Sequence, residues 1–347
     1  MEIKEKQKQK QKKKIFFFFK NKNNLLSKKL TTKRIKYDIF VDATTLDFSV
    51  IHDKKKNILI LNGESHPSEF FKLKKNIYKY IDVSNIKKIS SGFKFNLILT
   101  KDNNLYSFGN NKYGQCGVDP ILYPIVNYPT KINIPKEFGK IRDIYCIYAE
   151  SYILLENNNI YIFGRYDHIP TKINLGNKFD KTDKIDKFIN GPMVSSLFFI
   201  TKKKKIYDFY EDTLTEILKD FDKKNFKNIF YSNLLNSILI LFKKNIIYEM
   251  SFKCPQKLIK HNISPIIKGK IIKIVSNHYV SLYLTTKSIY IYNEDKVTNE
   301  IEFFRNKNII NIVIKSMECI ALSNDGKVYE IDFNNKINNK INIIYSS

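Results

Sequence analysis

Seven times along this chain an aliphatic residue follows a polar turn, and in six of those seven the next residue is tyrosine. The pairs are Ile58-Leu59, Leu105-Tyr106, Ile160-Tyr161, Ile206-Tyr207, Ile247-Tyr248, Ile289-Tyr290 and Val328-Tyr329. Their second members lie 47, 55, 46, 41, 42 and 39 residues apart. A period of that length marks a repeated supersecondary unit, and a unit of that size holds about four short strands, which is one propeller blade. The expected fold is therefore all-β: a seven-bladed β-propeller over residues 37–347, preceded by a disordered basic tail over residues 1–36. Such a ring presents loops and does not by itself dictate a chemistry.

The clearest copy starts with Ile89-Ser90-Ser91-Gly92 and continues as Phe95-Asn96-Leu97-Ile98-Leu99-Thr100. The turn Lys101-Asp102-Asn103-Asn104 leads into Leu105-Tyr106-Ser107-Phe108-Gly109. Next comes Asn110-Asn111-Lys112-Tyr113-Gly114-Gln115-Cys116-Gly117. Two β-rich runs around an Asp-Asn-Asn turn predict a hairpin, because Asn tolerates positive φ. Gly109, Gly114 and Gly117 mark tight turns or close approaches of backbone. The copy around Ile144 to Gly164 repeats this one at an offset of 55, and a third runs from Ile312 through Asn324-Asp325-Gly326 to Tyr329. Prolines form a second periodic mark in Pro129-Thr130-Lys131, Pro170-Thr171-Lys172 and Pro255-Gln256-Lys257, each suited to an edge strand. A strand near Ile35 to Phe40 is expected to close the ring by pairing with Ile341 to Tyr345.

These residues resemble the regulator of chromosome condensation repeat family. Gly92, Asp102, Leu105, Tyr106, Gly109, Asn111, Gly114, Gln115 and Gly117 match its unit in order, and Tyr161, Gly164 and Tyr329 keep parts of it. The family's tryptophan is replaced by Phe108 and Phe163, and its histidine position falls on Phe95, Glu150, Val280 and Glu318. There is no Trp-Asp dipeptide for a WD repeat and no Gly-Gly pair for kelch. The resemblance implies a propeller, and its best-known activity is guanine-nucleotide exchange on a small GTPase through particular loops and an inserted wedge. No segment here matches that wedge. Gly117 to Ile141 has room for an insertion, but Pro120, Pro124 and Pro129 give it the look of an ordinary connection.

Hydrophobic residues make up 43% of the chain and aromatic residues 14%, enough to build a core rather than a disordered chain. The net charge of +26 favours acidic partners, although Lys, Asn and Ile are abundant throughout, as in a general compositional bias. Residues 1–34 carry 12 Lys and one Arg against Glu2 and Glu5, a net of +11. Lys12, Lys13 and Lys14, with Lys33 and Arg34, read as an import or nucleic-acid contact; a mitochondrial presequence and a plain solubilising tail are the competing readings.

Cys116, Cys146, Cys254 and Cys319 are isolated, which argues against a zinc site or a disulfide framework and fits a reducing compartment. No apolar run approaches the roughly 20 residues that span a bilayer. The five histidines form no His-x-x-His or His-Glu-x-x-His pattern, no phosphate loop precedes a helix, and no Gly-x-Ser-x-Gly elbow occurs. No catalytic, metal or cofactor residue can be named, so the chain reads as a non-enzyme: an intracellular protein-binding scaffold, nuclear or cytoplasmic, with mitochondria open. The alternatives are exchange on a small GTPase and association with nucleic acid or chromatin through the tail and basic turns such as Lys202 to Lys205.

Overall fold

The computed structural model describes residues 39–42, 48–53, 58–63, 81–165, 167–189, 197–210, 213–218, 221–251, 258–261, 267–293, 298–314, 318–333 and 340–346. The basic tail, with Lys12, Lys13, Lys14, Lys33 and Arg34, lies outside them, as do Cys254 and Pro255.

All the regular structure that carries the architecture is β. The first sheet joins β1 (Ile39–Asp42), β2 (Phe48–Asp53) and β3 (Ile58–Gly63). Six four-stranded antiparallel sheets follow, each ordered along the chain. The first blade is β4 (Ile86–Ser91), β5 (Phe95–Thr100), β6 (Leu105–Asn110) and β7 (Ile125–Lys131). The second is β8 (Ile141–Ile147), β9 (Glu150–Leu155), β10 (Ile160–Gly164) and β11 (Asp167–Lys172). The third is β12 (Ile185–Ile189), β13 (Leu197–Thr201), β14 (Ile206–Tyr210) and β15 (Thr213–Ile217). The fourth is β16 (Phe226–Ser232), β17 (Ser237–Phe242), β18 (Ile247–Ser251) and β19 (Leu258–His261). The fifth is β20 (Ile271–Ser276), β21 (Val280–Thr285), β22 (Ile289–Asn293) and β23 (Thr298–Glu300), and the sixth is β24 (Ile309–Ile314), β25 (Glu318–Ser323), β26 (Lys327–Asp332) and β27 (Lys340–Ser346).

The expectation of seven blades is thereby corrected: the propeller has six. Seven hairpins do form where the aliphatic-tyrosine marks predict them, but a hairpin is only half a blade. The first unit is a three-stranded sheet among the described residues. The C-terminal strand does not complete it. β27 pairs with β26, Ile331 opposite Ile341, and β1 pairs with β2, Val41 opposite Ile51. The expected closure between Ile35–Phe40 and Ile341–Tyr345 is therefore also corrected, because each sheet is built from one continuous stretch of chain. β1 instead lies against both β24 and β4.

Inner strands of successive blades adjoin, as β4 with β8, β12 with β16, β16 with β20 and β20 with β24. The second strand of each blade is covered on both faces. This is why it reads as a nearly unbroken apolar run, such as Ser237-Ile238-Leu239-Ile240-Leu241-Phe242, buried throughout. The recurrent tyrosines sit on the third strands, each opposite a second-strand residue: Tyr106 opposite Ile98, Tyr207 opposite Phe199, Tyr290 opposite Tyr283. In several blades an aromatic from the preceding linker packs on that tyrosine. Phe138 stacks on Tyr161 at 3.9 Å, Phe179 meets Tyr207 at 5.6 Å and Phe304 meets Tyr329 at 5.4 Å. Pro129 and Pro170 fall in outer strands β7 and β11, the edge positions where a missing N–H costs nothing.

Candidate protein-docking face and central channel

Antiparallel order sends alternate turns to opposite ends of each blade, and the ring gathers those ends into two faces. One, the turn face, carries the connections between second and third strands and the entries to the inner strands. The other, the loop face, carries the turns between first and second strands and the connections leaving the third. The inner strands surround a channel that joins the two.

The loop face is dominated by the connection between β6 and β7. Asn111, fully buried, is its hub. The Asn111 Nδ2 donates to the carbonyls of Val118 (2.9 Å) and Tyr123 (2.8 Å), while its Oδ1 accepts the Cys116 N–H (2.8 Å). Gln115 Oε1 accepts the Tyr113 N–H (2.9 Å), and the Gln115 carbonyl accepts the Ser151 hydroxyl of the next blade (2.7 Å). Gly114 lies so close to the second blade that a Cβ there would meet the Asp167 carbonyl carbon at 2.8 Å. The Asn-x-x-Gly-Gln-x-Gly run is thus a clasp between blades, and Gly117 closes its turn by donating to the Gly114 carbonyl (2.9 Å).

What the clasp presents is apolar. Asp119 Oδ1 accepts the Ile121 N–H (2.8 Å), shaping a tip on which Ile121 is 88% and Leu122 70% exposed, with Tyr123 beside them. This projection stands where the sequence reads as an ordinary connection. Pro124 leads into β7, and the residues between Pro120 and Pro124 stay uncovered. Toward the channel mouth, Phe93 stacks on Tyr148 at 5.4 Å, and Tyr148 and Tyr279 are exposed.

The remaining repeat residues hold the scaffold. Gly92 leaves room for the buried Phe95 ring, which a Cβ there would strike. Gly109, at φ +113°, would drive a Cβ into the Lys94 carbonyl, and Gly164 occupies the same place in the second blade against the Ala149 carbonyl. Asp102 accepts the Asn104 amide (2.8 Å) in its turn, and hydrogen bonding, led by Thr100, holds its carboxyl below the usual range. Tyr106 and Tyr161 are half-buried and Tyr329 is buried against Phe304. Glu150, at the family's histidine position, is buried. Its carboxylate receives the Arg165 guanidinium and the Tyr152 hydroxyl (2.5 Å), whose own ionisation burial and that charge suppress.

The channel has a volume of about 620 Å³. The inner strand of each of the six blades carries a β-bulge after its first residue, which turns the third residue toward the channel or the ring around it. Those third residues are Lys88, Asp143, Lys187, Asn228, Lys273 and Asn311, all half-buried. The Lys88 ammonium meets Asp143 at 2.5 Å, Lys187 donates to the Asn228 amide oxygen, and Lys273 donates to that of Asn311 (2.9 Å). Sequence reading missed this ring. Its signal was a polar residue immediately before the inner-strand aliphatic, in Lys88-Ile89, Asp143-Ile144, Asn228-Ile229, Lys273-Ile274 and Asn311-Ile312.

On the turn face, Lys202 to Lys205 are not a free basic patch. Lys202 and Lys204 pair with Asp186, Lys203 with Asp180 at 2.8 Å, and Lys205 approaches Glu216 at 4.0 Å. Lysines of the next blades differ. Lys223, Lys224, Lys243, Lys244, Lys268, Lys270, Lys287 and Lys307 are exposed and make no ion pair among the described residues. Cys116, Cys146 and Cys319 are buried and not disulfide-bonded among the described residues, and burial pushes the Cys116 thiol far up. Among the described residues no group of three or more His, Cys, Asp and Glu side chains is arranged to hold a metal ion, and no helix is long and apolar enough to cross a membrane.

The family description "Regulator of chromosome condensation (RCC1) repeat" matches residues 86–115 and again 102–146, the first blade and the start of the second. Residues 86–146 thus match that repeat. The guanine nucleotide exchange factor SRM1 of Saccharomyces cerevisiae is 35% identical over 101 residues, 28% of this chain and 21% of that protein. An RCC1 repeat-containing protein of Dictyostelium discoideum is 24% identical over 291 residues, 78% of this chain and 57% of the relative. The chain thus matches about a fifth and somewhat over half of these relatives' lengths. Among solved structures, yeast RCC1 (Prp20) bound to Kap60 superposes with a TM-score of 0.56 at 14% identity, over 92% of this chain and 86% of that one, a likeness of fold.

These comparisons correct the reading of the chain as a non-enzyme. A relative of the RCC1-repeat segment is itself an exchange factor, so the lack of acid–base or metal machinery is no argument against catalysis. What the propeller binds is a separate question.

Proposed function

We propose that this propeller is a guanine-nucleotide exchange factor that grips a small GTPase with its loop face. Exchange of this kind is differential affinity: a protein that binds the nucleotide-free GTPase more tightly than the loaded form lowers, by linkage, the affinity for nucleotide. It needs a rigid, apolar, shaped surface and no acid–base pair. The observation that carries the reading is the Ile121-Leu122-Tyr123 tip, held out by the Asn111 clasp within the matched residues 102–146. Exposed apolar residues on a fixed loop are costly unless a partner covers them. A nuclear or cytoplasmic location belongs to the same reading, with the lysine-rich tail as an import or acidic-partner contact.

The test is affinity capture of the tagged full chain from lysate with EDTA present, which strips Mg²⁺ and nucleotide from GTPases. The expected result is a small GTPase retained by the protein and released by GTP with Mg²⁺. Retention indifferent to nucleotide, or no GTPase at all, would leave a binding scaffold without exchange.

A further inference from the structure

Lysines stand at the channel ring in alternate blades. Lys88 is on β4, Lys187 on β12 and Lys273 on β20, with acceptors Asp143, Asn228 and Asn311 on β8, β16 and β24 between them. We infer that the central channel is a binding site for a compact polyphosphate anion, entered from the turn face and held by the ammonium groups of Lys187 and Lys273, with Lys88 as the third member of the ring.

Charge supports this first. Among the described residues, the channel lining contains three lysines and His278 against a single carboxylate, Asp143. The preceding bulged position adds Lys87, Arg142 and Lys227 against Asp186, each of those three cations reaching the first carbonyl of the next inner strand. These two positions in each of the six blades thus hold six cations and two carboxylates, a net of +4.

The partners matter as much as the count. Lys88 is neutralised by a carboxylate, whereas Lys187 donates to an amide. An amide fixes an ammonium without cancelling its charge. The acceptors are themselves fixed: Asn228 Oδ1 also accepts the Ile229 N–H (2.9 Å), as Asp143 Oδ1 accepts that of Ile144 (2.9 Å). Burial holds the Lys187 ammonium below its ordinary pKa, a cost that a bound anion offsets.

Shape and access agree. A channel of about 620 Å³ falls within the range of small-ligand sites. Cations spaced around a ring suit phosphates distributed about a compact body better than a single carboxylate. The turn-face lysines without ion pairs, such as Lys243, Lys270 and Lys287, add a field that draws anions to that entrance. The site is independent of the GTPase reading, since it uses the channel and not the loop-face tip.

The experiment is calorimetric titration of the full chain with inorganic tripolyphosphate and with inositol hexakisphosphate in about 0.15 M salt, where long-range surface attraction is screened. The expected result is one site per chain. Lys187→Gln with Lys273→Gln should weaken binding by about tenfold or more, while Lys243→Gln with Lys244→Gln changes it by less than about threefold. Multiple weak sites, or equal losses in both variants, would overturn the channel assignment. Should the channel variant fold poorly, amine acetylation of the wild-type protein read by peptide mass spectrometry serves instead. Protection of Lys187 and Lys273 by the probe is expected, and unchanged labelling refutes the site. A single-stranded oligonucleotide that displaces the probe and loses its own binding with Lys243→Gln and Lys244→Gln also refutes it, by placing the phosphates on the outer surface.

Discussion

The two faces of this ring are made by the same strands and differ in nearly everything they show to solvent. The loop face exposes Tyr113, Ile121, Leu122, Tyr123, Tyr148, Tyr210 and Tyr279; among large apolar residues the turn face exposes Ile246 and Phe303, with Ile272 and Ile310 at its channel entrance. The turn face instead carries the lysines of the fourth to sixth blades. Connection length explains the difference. The turns between second and third strands are short and nearly constant, fixed by Asn and Lys in left-handed geometry such as Asn103, Asn158, Lys204 and Lys244. The connection from β6 to β7 spans residues 111–124, long enough to carry a projection that the ring does not need. Specific recognition accordingly belongs to the loop face, and less specific electrostatics to the turn face.

The largest effect expected on that contrast comes from beneath the loop face. Arg165→Met leaves the buried Glu150 carboxylate uncompensated and should cost about 3–5 kcal/mol in a denaturant titration. If the loss is under about 1 kcal/mol, the ion pair does not hold the loop face. Next comes Asn111→Ala, which unpairs the Cys116 N–H and the Val118 and Tyr123 carbonyls. It should cost about 1–3 kcal/mol and raise hydrogen exchange over residues 118–124 while leaving the turn face unchanged.

A smaller effect, tied to neither face, should come from Asp208 on β14, whose buried Oδ1 lacks a hydrogen-bond partner among the described residues and whose pKa burial pushes up to about 6. A folded-state pKa above the unfolded value means the protonated carboxyl is the favoured form, so stability falls as pH rises from about 4 to about 6. Asp208→Asn should raise the melting temperature at pH 7 by a few degrees, a gain that vanishes near pH 4. A gain equal at both values would assign the effect to something other than ionisation. The least effect on stability is expected of Lys243→Gln with Lys287→Gln, within about 0.5 kcal/mol. That pair should nonetheless lower retention on a polyanion column and flatten its salt dependence, which Lys202→Gln with Lys203→Gln should not, because those lysines are already paired.

The hairpins were legible because strand pairs announce themselves locally. Apolar runs such as Ser237–Phe242 and Ile247–Ser251 flank a polar turn, and the second tyrosine position recurs. Blade number was not legible, since a fourth strand such as β15 or β23 is short and half-exposed, with no mark of its own. The linker aromatics Phe138, Phe179 and Phe304 escaped notice because their spacing to the tyrosines they cover varies. At the candidate site, the Asn111-Gly114-Gln115 clasp was visible as a motif, but the Ile121 tip was not. Its prolines signal a connection, and only the fold says which of its residues stay uncovered. The channel ring lay one residue before inner-strand aliphatics such as Ile89, Ile144 and Ile312, and a bulge, invisible in sequence, turns it inward.

The central claim, that the loop face grips a GTPase, is tested most directly by stopped-flow release of fluorescent GDP from the GTPase recovered in the EDTA capture. Wild-type protein should accelerate release. Ile121→Asp with Leu122→Asp should abolish the acceleration at unchanged melting temperature, and Lys243→Gln with Lys244→Gln should leave it intact. Full acceleration by the loop-face variant, or its loss in the lysine variant alone, would contradict the claim.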